Sequence, residues 1–234
     1  LPLLNLLVRV QLYILGRFLY TDRVLQQPAT NGGTSTAAAS TTGSTNGRLS
    51  TQCQHSYLEH ASHLSSRGLN VLLAQLRSCL DMELSKVPLT QACTISDLLQ
   101  IVSKTQRRFT DSVAPELWAD LLLPQSKDLG RDSPTEDQVV QDMLREARGV
   151  LASAQFSKAV QGAVALSSRA MAWKLTKLFD QQSQASIPLA KLVPIVAQVG
   201  DQLLDDAINL AEGESDLPAV KSLCRWVYSS GPPL

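Results

Sequence analysis

The sequence predicts an all-α fold, a single-domain bundle of long helices interrupted by one polar loop. Apolar residues recur at spacings of three and four along most of the chain, which is typical of helices with one buried face. No segment alternates apolar and polar residues over the length of a strand, so no sheet is predicted. Hydrophobic residues make up 44% of the chain and charged residues 18%, which indicates a globular protein with a large interior.

The first predicted helix, residues 3–20, is apolar almost all round. It is about long enough to cross a hydrocarbon core of roughly 30 Å. Arg9 lies near its centre, where an arginine costs about 2.5 to 3.5 kcal/mol in a membrane, and Asn5 and Gln11 add further polar groups. We therefore expect a core helix, buried by other helices, whose polar side chains are paired with neighbours.

Residues 29–50 are nearly all Gly, Ser, Thr, Ala and Asn. Such a segment cannot bury enough apolar surface to order itself, and it predicts a flexible, disordered loop at the surface between two packed helices.

Seven further helices are predicted, at about residues 51–84, 95–109, 112–123, 133–152, 156–179, 186–210 and 217–228. In the first of these, the apolar residues at helical spacing, which are expected to face the core, are Tyr57, Leu58, Ala61, Leu64, Leu69, Leu72, Leu73, Leu76 and Leu80. Capping signals are predicted at Thr94, three residues before Asp97, and at Ser133, three residues before Glu136. Pro194 is expected to kink its helix or to mark an offset start.

Charge and cysteine content narrow the classes of partner. The formal net charge is +0, which gives no electrostatic support for binding nucleic acid or an anionic membrane surface. The four cysteines are too far apart for a zinc ribbon or a redox pair, so we expect buried, reduced thiols in a cytosolic setting. No recognisable secretory signal is present.

One cluster has the residue types of a metal site, namely Cys53, His55, His60 and His63. His60 and His63 share a helix face and could reach one zinc ion, which leaves a zinc-dependent enzyme as an alternative. The spacing matches no zinc signature, however, so solvated histidines are the preferred interpretation.

Other candidate chemistry is weaker. The acidic residues at 201–216 lack the ligand order and central glycine of a calcium loop. No nucleophile motif or phosphate-binding glycine loop occurs, so we expect a non-enzymatic protein without a metal or other cofactor. Trp118, Trp173 and Trp226 could anchor a partner, although ordinary helix packing is favoured for each.

Three stretches match one family in order along the chain. Residues 7–22 resemble the pattern L-x-R-V-Q-L-x-I-x-G-x-x-x-Y-x-D, and residues 186–196 resemble S-x-P-L-A-K-x-x-P-x-V. Between them, residues 146–156 are similar to E-T-R-D-x-L-x-S-x-x-F. These are patterns of the peroxin-3 family, the peroxisomal membrane-protein biogenesis factors.

The resemblance implies a docking function. Members of the family are anchored in the peroxisomal membrane and present an all-α domain to the cytosol. That domain docks peroxin-19, the soluble receptor for newly made peroxisomal membrane proteins, by laying a receptor helix into an apolar groove. The matched stretches correspond to the later part of a family member, so the membrane anchor, the first cytosolic helices and the groove tryptophan are expected upstream of Leu1.

The resemblance also implies partner-binding residues. Lys191 matches the lysine at the edge of the groove, and Gly16, Arg17, Leu19 and Tyr20 match another part of its wall. Arg17 stands where some members have a small residue, which would narrow the groove. We therefore expect residues 16–20 to approach Lys191 in space. A generic helical scaffold for another partner remains an alternative to this interpretation.

Overall fold

The computed structural model describes residues 2–25, 49–124, 136–181 and 186–229. The described chain is a helical bundle, which confirms the predicted all-α fold. The helices are α1 (Pro2–Leu25), α2 (Thr51–Glu59), α3 (Leu69–Leu84), α4 (Ile95–Ser112), α5 (Pro115–Leu122), α6 (Glu136–Leu151), α7 (Ala154–Gln181), α8 (Leu189–Asp205), α9 (Ala207–Ser215) and α10 (Pro218–Ser229).

The helix α1 lies in the larger of two hydrophobic clusters. Leu6, Leu7 and Ile14 are fully buried, and α1 packs against α2, α6, α7, α9 and α10. By length and composition, Pro2–Thr21 is the single candidate membrane span in the described chain. Its contacts confirm the prediction of a core helix. The burial is one-sided, however, because Leu12 is 51% exposed and Tyr20 is 61% exposed.

Arg9 and Gln11 on α1 have hydrogen-bond partners, as the sequence predicts, although the buried Oε1 of Gln11 has none in the described chain. Gln11 donates from Nε2 to the backbone oxygen of Tyr57 at 3.4 Å. Arg9 donates to the hydroxyl of Ser215 at the end of α9. Pairing of this kind lets a helix keep polar residues inside a bundle at little cost.

The helix α7 connects the two hydrophobic clusters. Its amino-terminal half, with Phe156 and Ala159, belongs to the cluster around α1. Its carboxyl-terminal half, with Leu175 and Phe179, packs with α8 in the second cluster. With 28 residues, α7 is about 42 Å long, so the clusters occupy different ends of the molecule.

The predicted helix over residues 51–84 is wrong as one element. The α-helix stops at Glu59, and a π-helical segment, Leu64–Gly68, precedes α3. A Cβ atom on Gly68 would lie 2.0 Å from the backbone oxygen of Leu121, so the chain approaches α5 very closely here. An extra residue in a helical turn is a recognised way to accommodate such a local constraint.

The expected inward residues are buried at Tyr57, Leu64 and Leu72, but the expectation is wrong for Leu69, Leu73, Leu76 and Leu80. The four leucines that share one face are exposed by 36% to 52%. Leu72 and Cys79, on an adjoining face, are the buried apolar residues of this helix. The spacing of these leucines predicts a continuous apolar face. It does not indicate whether another element covers that face, and in the described chain none does.

The predicted capping box of α4 is confirmed. The backbone nitrogen of Thr94 donates to the carboxylate of Asp97 at 2.9 Å, and the Asp97 nitrogen donates to the Thr94 hydroxyl at 3.2 Å. The Thr94 hydroxyl also donates to the Asp97 carboxylate, at 2.8 Å. The hydrogen bonds that the carboxylate accepts from the Thr94 backbone nitrogen and from this hydroxyl lower the pKa of Asp97.

Two other expectations fall mainly on residues outside the described ranges. These are the Ser133 cap and the loop at 29–50, of which only Leu49 and Ser50 are described. Ser50 is the N-cap of α2, since its hydroxyl accepts a hydrogen bond from the Cys53 nitrogen at 3.1 Å.

The four cysteines all lie in the described ranges and form no disulfide bond. Cys53, Cys79 and Cys93 are buried and Cys224 is half-buried, which confirms the expected burial for three of the four. Burial raises the pKa of the Cys224 thiol, although a hydrogen bond from Tyr13 opposes that shift.

A short antiparallel pair was not predicted. Strand β1 (Ala92–Cys93) pairs with β2 (Ile187–Pro188), with Ala92 opposite Pro188 and Cys93 opposite Ile187. The pair is only two residues long, so it has no alternating pattern for sequence analysis to detect. It ties the segment after α3 to the start of α8.

Candidate docking surfaces

Lys191 lies in the first turn of α8, where the backbone is held on two sides. The backbone nitrogen of Leu189 donates to the oxygen of Gln91 at 3.0 Å, and that of Ala190 donates to the oxygen of Leu89 at 3.1 Å. These bonds continue the β1–β2 pair into the helix and fix its start. Lys191 is exposed on this anchored turn. Pro194 lies inside α8, so the helix start is not offset as the alternative interpretation of this proline expected.

One face of α8 is open and largely apolar. Val193 and Leu204 are each 62% exposed, and Ala197 and Gly200 lie between them at spacings of four, three and four residues. A Cβ atom at Gly200 would meet nothing within 4 Å. We call Val193, Ala197, Gly200 and Leu204 the α8 outer face. Lys191 lies two residues before Val193 and therefore does not share this face. The small central residues of the α8 outer face would let another helix approach closely.

An exposed tryptophan lies on α7, one residue before a lysine that pairs with the residue following α8. Lys174 on α7 pairs with Asp206 at 2.6 Å, which places the neighbouring Trp173 close to the junction of α8 and α9. Trp173 is 58% exposed, and the Lys177 ammonium lies 3.9 Å from the centre of its ring. The preference for helix packing is therefore wrong for Trp173. Exposed tryptophan is a frequent anchor in protein interfaces.

Sequence analysis could assign no surface position to Trp173, because an exposed and a buried tryptophan look alike in a helical pattern. The lysine four residues later is the one local signal, since residues at that spacing are neighbours on a helix. Trp118, by contrast, is buried at 3% exposure and Trp226 is half-buried, in agreement with the packing interpretation.

The other predicted binding residues lie near the carboxyl-terminal end of α1. Gly16 is exposed with open space around its Cβ position, Leu19 is half-buried and Tyr20 is 61% exposed. Arg17 instead turns inward. Its guanidinium pairs with Glu146 on α6 and donates to the backbone oxygen of Val227 at 3.0 Å. Arg17 therefore holds three helices together and does not project into a groove.

Residues 16–20 and Lys191 lie at different ends of the molecule, and the expectation that they approach each other is wrong. Arg9 contacts the end of α9 and Arg17 contacts the end of α10, so α1 runs parallel to α10. Leu217 lies against Gly162 and Leu166 lies against Gly213, so α9 and α10 run antiparallel to α7. The carboxyl-terminal end of α1 therefore lies towards the amino-terminal end of α7.

Lys191 lies towards the other end of α7, the carboxyl-terminal end. Its neighbours Leu189 and Leu192 pack in the cluster that contains Leu175 and Phe179. The segment from Ala159 to Leu175 alone extends about 24 Å along α7. Helix direction, which the matched stretches do not encode, decides this separation.

The candidate metal residues do not form a site. His55 is exposed beside Glu59, with 3.9 Å between the closest atoms, whereas Cys53 is buried. Burial lowers the pKa of His60, opposed by the charge of Glu59. Across the four described ranges, no three His, Cys, Asp or Glu residues are grouped so that they could hold a metal ion. The acidic residues at 201–216 therefore form no such group either.

Comparison with known proteins identifies the family. The chain matches the family model described as Peroxin-3 over residues 1–230. It is 25% identical over 237 residues to Peroxisome biogenesis protein 3-1 of Arabidopsis thaliana, an alignment that covers 98% of the chain and 62% of the relative. It is 24% identical over 247 residues to Peroxisome biogenesis protein 3-2 of the same plant, with 98% and 63% covered. The chain thus spans less than two thirds of these relatives' length, and the match over nearly all of its residues shows that it belongs to the Peroxin-3 family.

Proposed function

We propose that this chain serves peroxisome membrane biogenesis by docking an amphipathic helix of a peroxin-19-type import receptor on the α8 outer face. In this proposal the chain acts at the peroxisomal membrane, faces the cytosol and has no catalytic role. The observation that carries the proposal is the open apolar face of α8 in a chain matched to Peroxin-3 over residues 1–230.

The α8 outer face has the features that a receptor helix requires. Val193 and Leu204 offer apolar area about 17 Å apart along the helix, and Ala197 and Gly200 leave a shallow depression between them. Burying this apolar surface supplies the main driving force. Trp173 on α7 and Lys191 in the first turn of α8 are proposed as further contacts outside this face. Trp173 offers a rigid aromatic anchor, and Lys191 offers a positive charge for an acidic residue.

Residues Gly16, Leu19 and Tyr20 are proposed as a separate contact. A helix of average length, about 11 or 12 residues, is about 17 Å long and touches only one of the two regions. A longer receptor segment would be needed to reach both. Arg17 takes part only indirectly in this proposal, by fixing the end of α1 against α6 and α10.

The proposal is tested by fluorescence anisotropy with a labelled peptide of the peroxin-19 amino-terminal helix. The measurement is made on the 234-residue chain and on a polypeptide extended to the length of the relatives. We expect Val193→Asp to weaken binding about tenfold, because it places a charge in the apolar contact, and Lys191→Glu to weaken it about fivefold. Lys221→Glu on α10, the matched charge reversal, should leave the affinity unchanged.

Two results would overturn the proposal. One is the absence of binding by either polypeptide at micromolar concentrations. The other is binding that Val193→Asp and Lys191→Glu leave intact, which would remove the α8 outer face from the interface. If Tyr20→Asp alone abolished that binding, the contact would belong to the end of α1 instead.

A further inference from the structure

The exposed leucines of α3 form a continuous seam. Leu69, Leu73, Leu76 and Leu80 are exposed by 44%, 52%, 40% and 36%, and their spacings are four, three and four residues. These are the spacings of the a and d positions of a heptad repeat, which align on one side of a helix. We call these four side chains the leucine seam. It extends about 17 Å along α3.

A basic cleft begins within one turn of the last seam residue. Between α3 and α4 lies a cleft of about 600 Å³ lined by Glu83, Lys86, Lys104, Arg107, Arg108, Asp111 and Ser112. Glu83 follows Leu80 by three residues, so the two lie on neighbouring positions of the same helix. The apolar seam and the charged cleft thus form one continuous surface.

The cleft carries an excess of positive charge. Its lining includes four cations and two carboxylates. Glu83 is satisfied by Arg108 at 2.9 Å and by Lys86 at 3.1 Å, and its side chain is only 8% exposed. Arg107 and Asp111 are exposed and 3.8 Å apart, a pair that solvent screens strongly. Lys104 has no partner among the described residues, so Lys104 and Arg107 are available to an incoming anion.

From this arrangement we propose that α3 and α4 form a second docking surface, whose occupant is an amphipathic partner helix with an apolar heptad stripe and acidic residues at one end. The stripe packs on the leucine seam, and the acidic residues enter the basic cleft. Charge complementarity gives the partner its direction, because only one orientation brings its carboxylates to Lys104 and Arg107.

A second copy of this chain fits the surface less well. Parallel pairing of two seams would place two net-positive clefts side by side, and like charges repel. A seam of three turns is also far smaller than the roughly 800 Å² per partner of a stable protein interface. An acidic partner helix avoids the charge repulsion, because it brings the opposite charge, and the cleft adds contact area to that of the seam.

The test uses the 234-residue chain and a synthetic helix as the probe. The probe is a labelled peptide of about three heptads, with leucine at a and d and glutamate at the e and g positions of one terminal heptad only. A matched peptide carries lysine in place of glutamate. Fluorescence anisotropy gives both affinities at low and high salt. We expect micromolar binding of the acidic peptide, about tenfold weaker binding of the basic one, and weakening of the acidic complex by salt.

Variants locate the contact. Leu73→Asp should weaken binding of the acidic peptide about tenfold, and Lys104→Glu or Arg107→Glu about threefold. Val71→Asp is the matched control, because Val71 is 42% exposed on the opposite side of α3, and it should leave the affinity unchanged. Lys191→Glu should also have no effect, which separates this surface from the proposed receptor contacts on α8. Equal thermal midpoints would confirm that the exposed substitutions leave the fold intact.

Three outcomes would overturn the inference. The first is equal affinity for the acidic and basic peptides, or equal losses from Leu73→Asp and Val71→Asp. The second is a dimer in sedimentation that Leu73→Asp dissociates, since the occupant would then be a second copy. The third is loss of peptide binding in a polypeptide extended to the relatives' length, since the seam would then be covered within the same molecule.

Discussion

Arg17 on α1 and Glu146 on α6 form an ion pair inside the bundle, with 10% and 17% of their side chains exposed. Removing one partner of a buried pair leaves the other charge uncompensated, which typically costs about 3 to 5 kcal/mol. Because this pair is slightly exposed, we expect Glu146→Ala to lower the free energy of unfolding by about 3 kcal/mol in urea denaturation.

The control is the surface pair Arg145 and Asp142 on the same helix, 2.8 Å apart with 74% and 42% exposure. Asp142→Ala should cost less than about 1 kcal/mol. Joint replacement by Arg17→Met and Glu146→Leu should recover part of the loss, since apolar residues of similar volume often substitute for a whole buried pair. Equal effects of Glu146→Ala and Asp142→Ala would contradict the structural role of the buried pair.

Gly68 is required by the close approach of the π-helical segment to α5. A Cβ atom there would lie 2.0 Å from the Leu121 oxygen, which is backbone and cannot rotate away. We expect Gly68→Ala to lower the free energy of unfolding by at least about 2 kcal/mol. Gly149→Ala on α6, where a Cβ meets nothing within 4 Å, should instead raise it by about 0.5 to 1 kcal/mol. A neutral Gly68→Ala would show that the two segments are not in contact.

The buried carboxyl group of Glu214 should make the stability of the fold depend on pH. Burial raises the pKa of Glu214, and a hydrogen bond from Asn5 and the charge of Arg9 oppose part of that shift. The folded state therefore binds this proton more tightly than the unfolded state, so stability falls as the pH rises from about 4 through the raised pKa.

Removing the titrating group should remove that dependence. Glu214→Gln should raise the thermal midpoint at pH 7, and the difference from the parent should disappear near pH 4. Glu212→Gln, at an exposed position of the same helix, should leave the thermal midpoint unchanged both at pH 7 and near pH 4. A Glu214→Gln variant that is less stable than the parent at pH 7 would mean that the carboxylate is stabilising.

Alanine substitutions at Trp173 and Trp118 should have different effects, the first on receptor-helix binding and the second on the stability of the fold. Trp173 is 58% exposed, so Trp173→Ala should change the thermal midpoint little while weakening receptor-helix binding about tenfold. Trp118 is 3% exposed, and Trp118→Ala should cost about 3 to 5 kcal/mol of stability. Unchanged receptor affinity in Trp173→Ala would exclude this tryptophan from the docking surface.

Local sequence signals predicted the features that local forces determine. The Thr94 cap, the burial of α1 and the pairing of Arg9 and Gln11 all follow from side-chain chemistry within a few residues or from a single helix face. The break in the predicted helix at 60–68 could not be predicted in the same way, because it depends on contact between Gly68 and α5.

The candidate sites show the same limit. The match of residues 186–196 implied a lysine at the edge of a groove, but the exposure of the α8 outer face depends on which helices pack elsewhere. The leucine seam had the spacing of a core face, and only the tertiary arrangement leaves it open. The separation of residues 16–20 from Lys191 depends on helix directions over the length of α7.

The central claim is that a receptor helix docks on the α8 outer face. Hydrogen exchange read by mass spectrometry, on the chain with and without a saturating peroxin-19 amino-terminal helix, tests it most directly. We expect slower exchange across Leu189–Asp205 and little change at residues 16–20 of α1. Protection confined to the end of α1, or protection in neither region despite saturation, would contradict the claim.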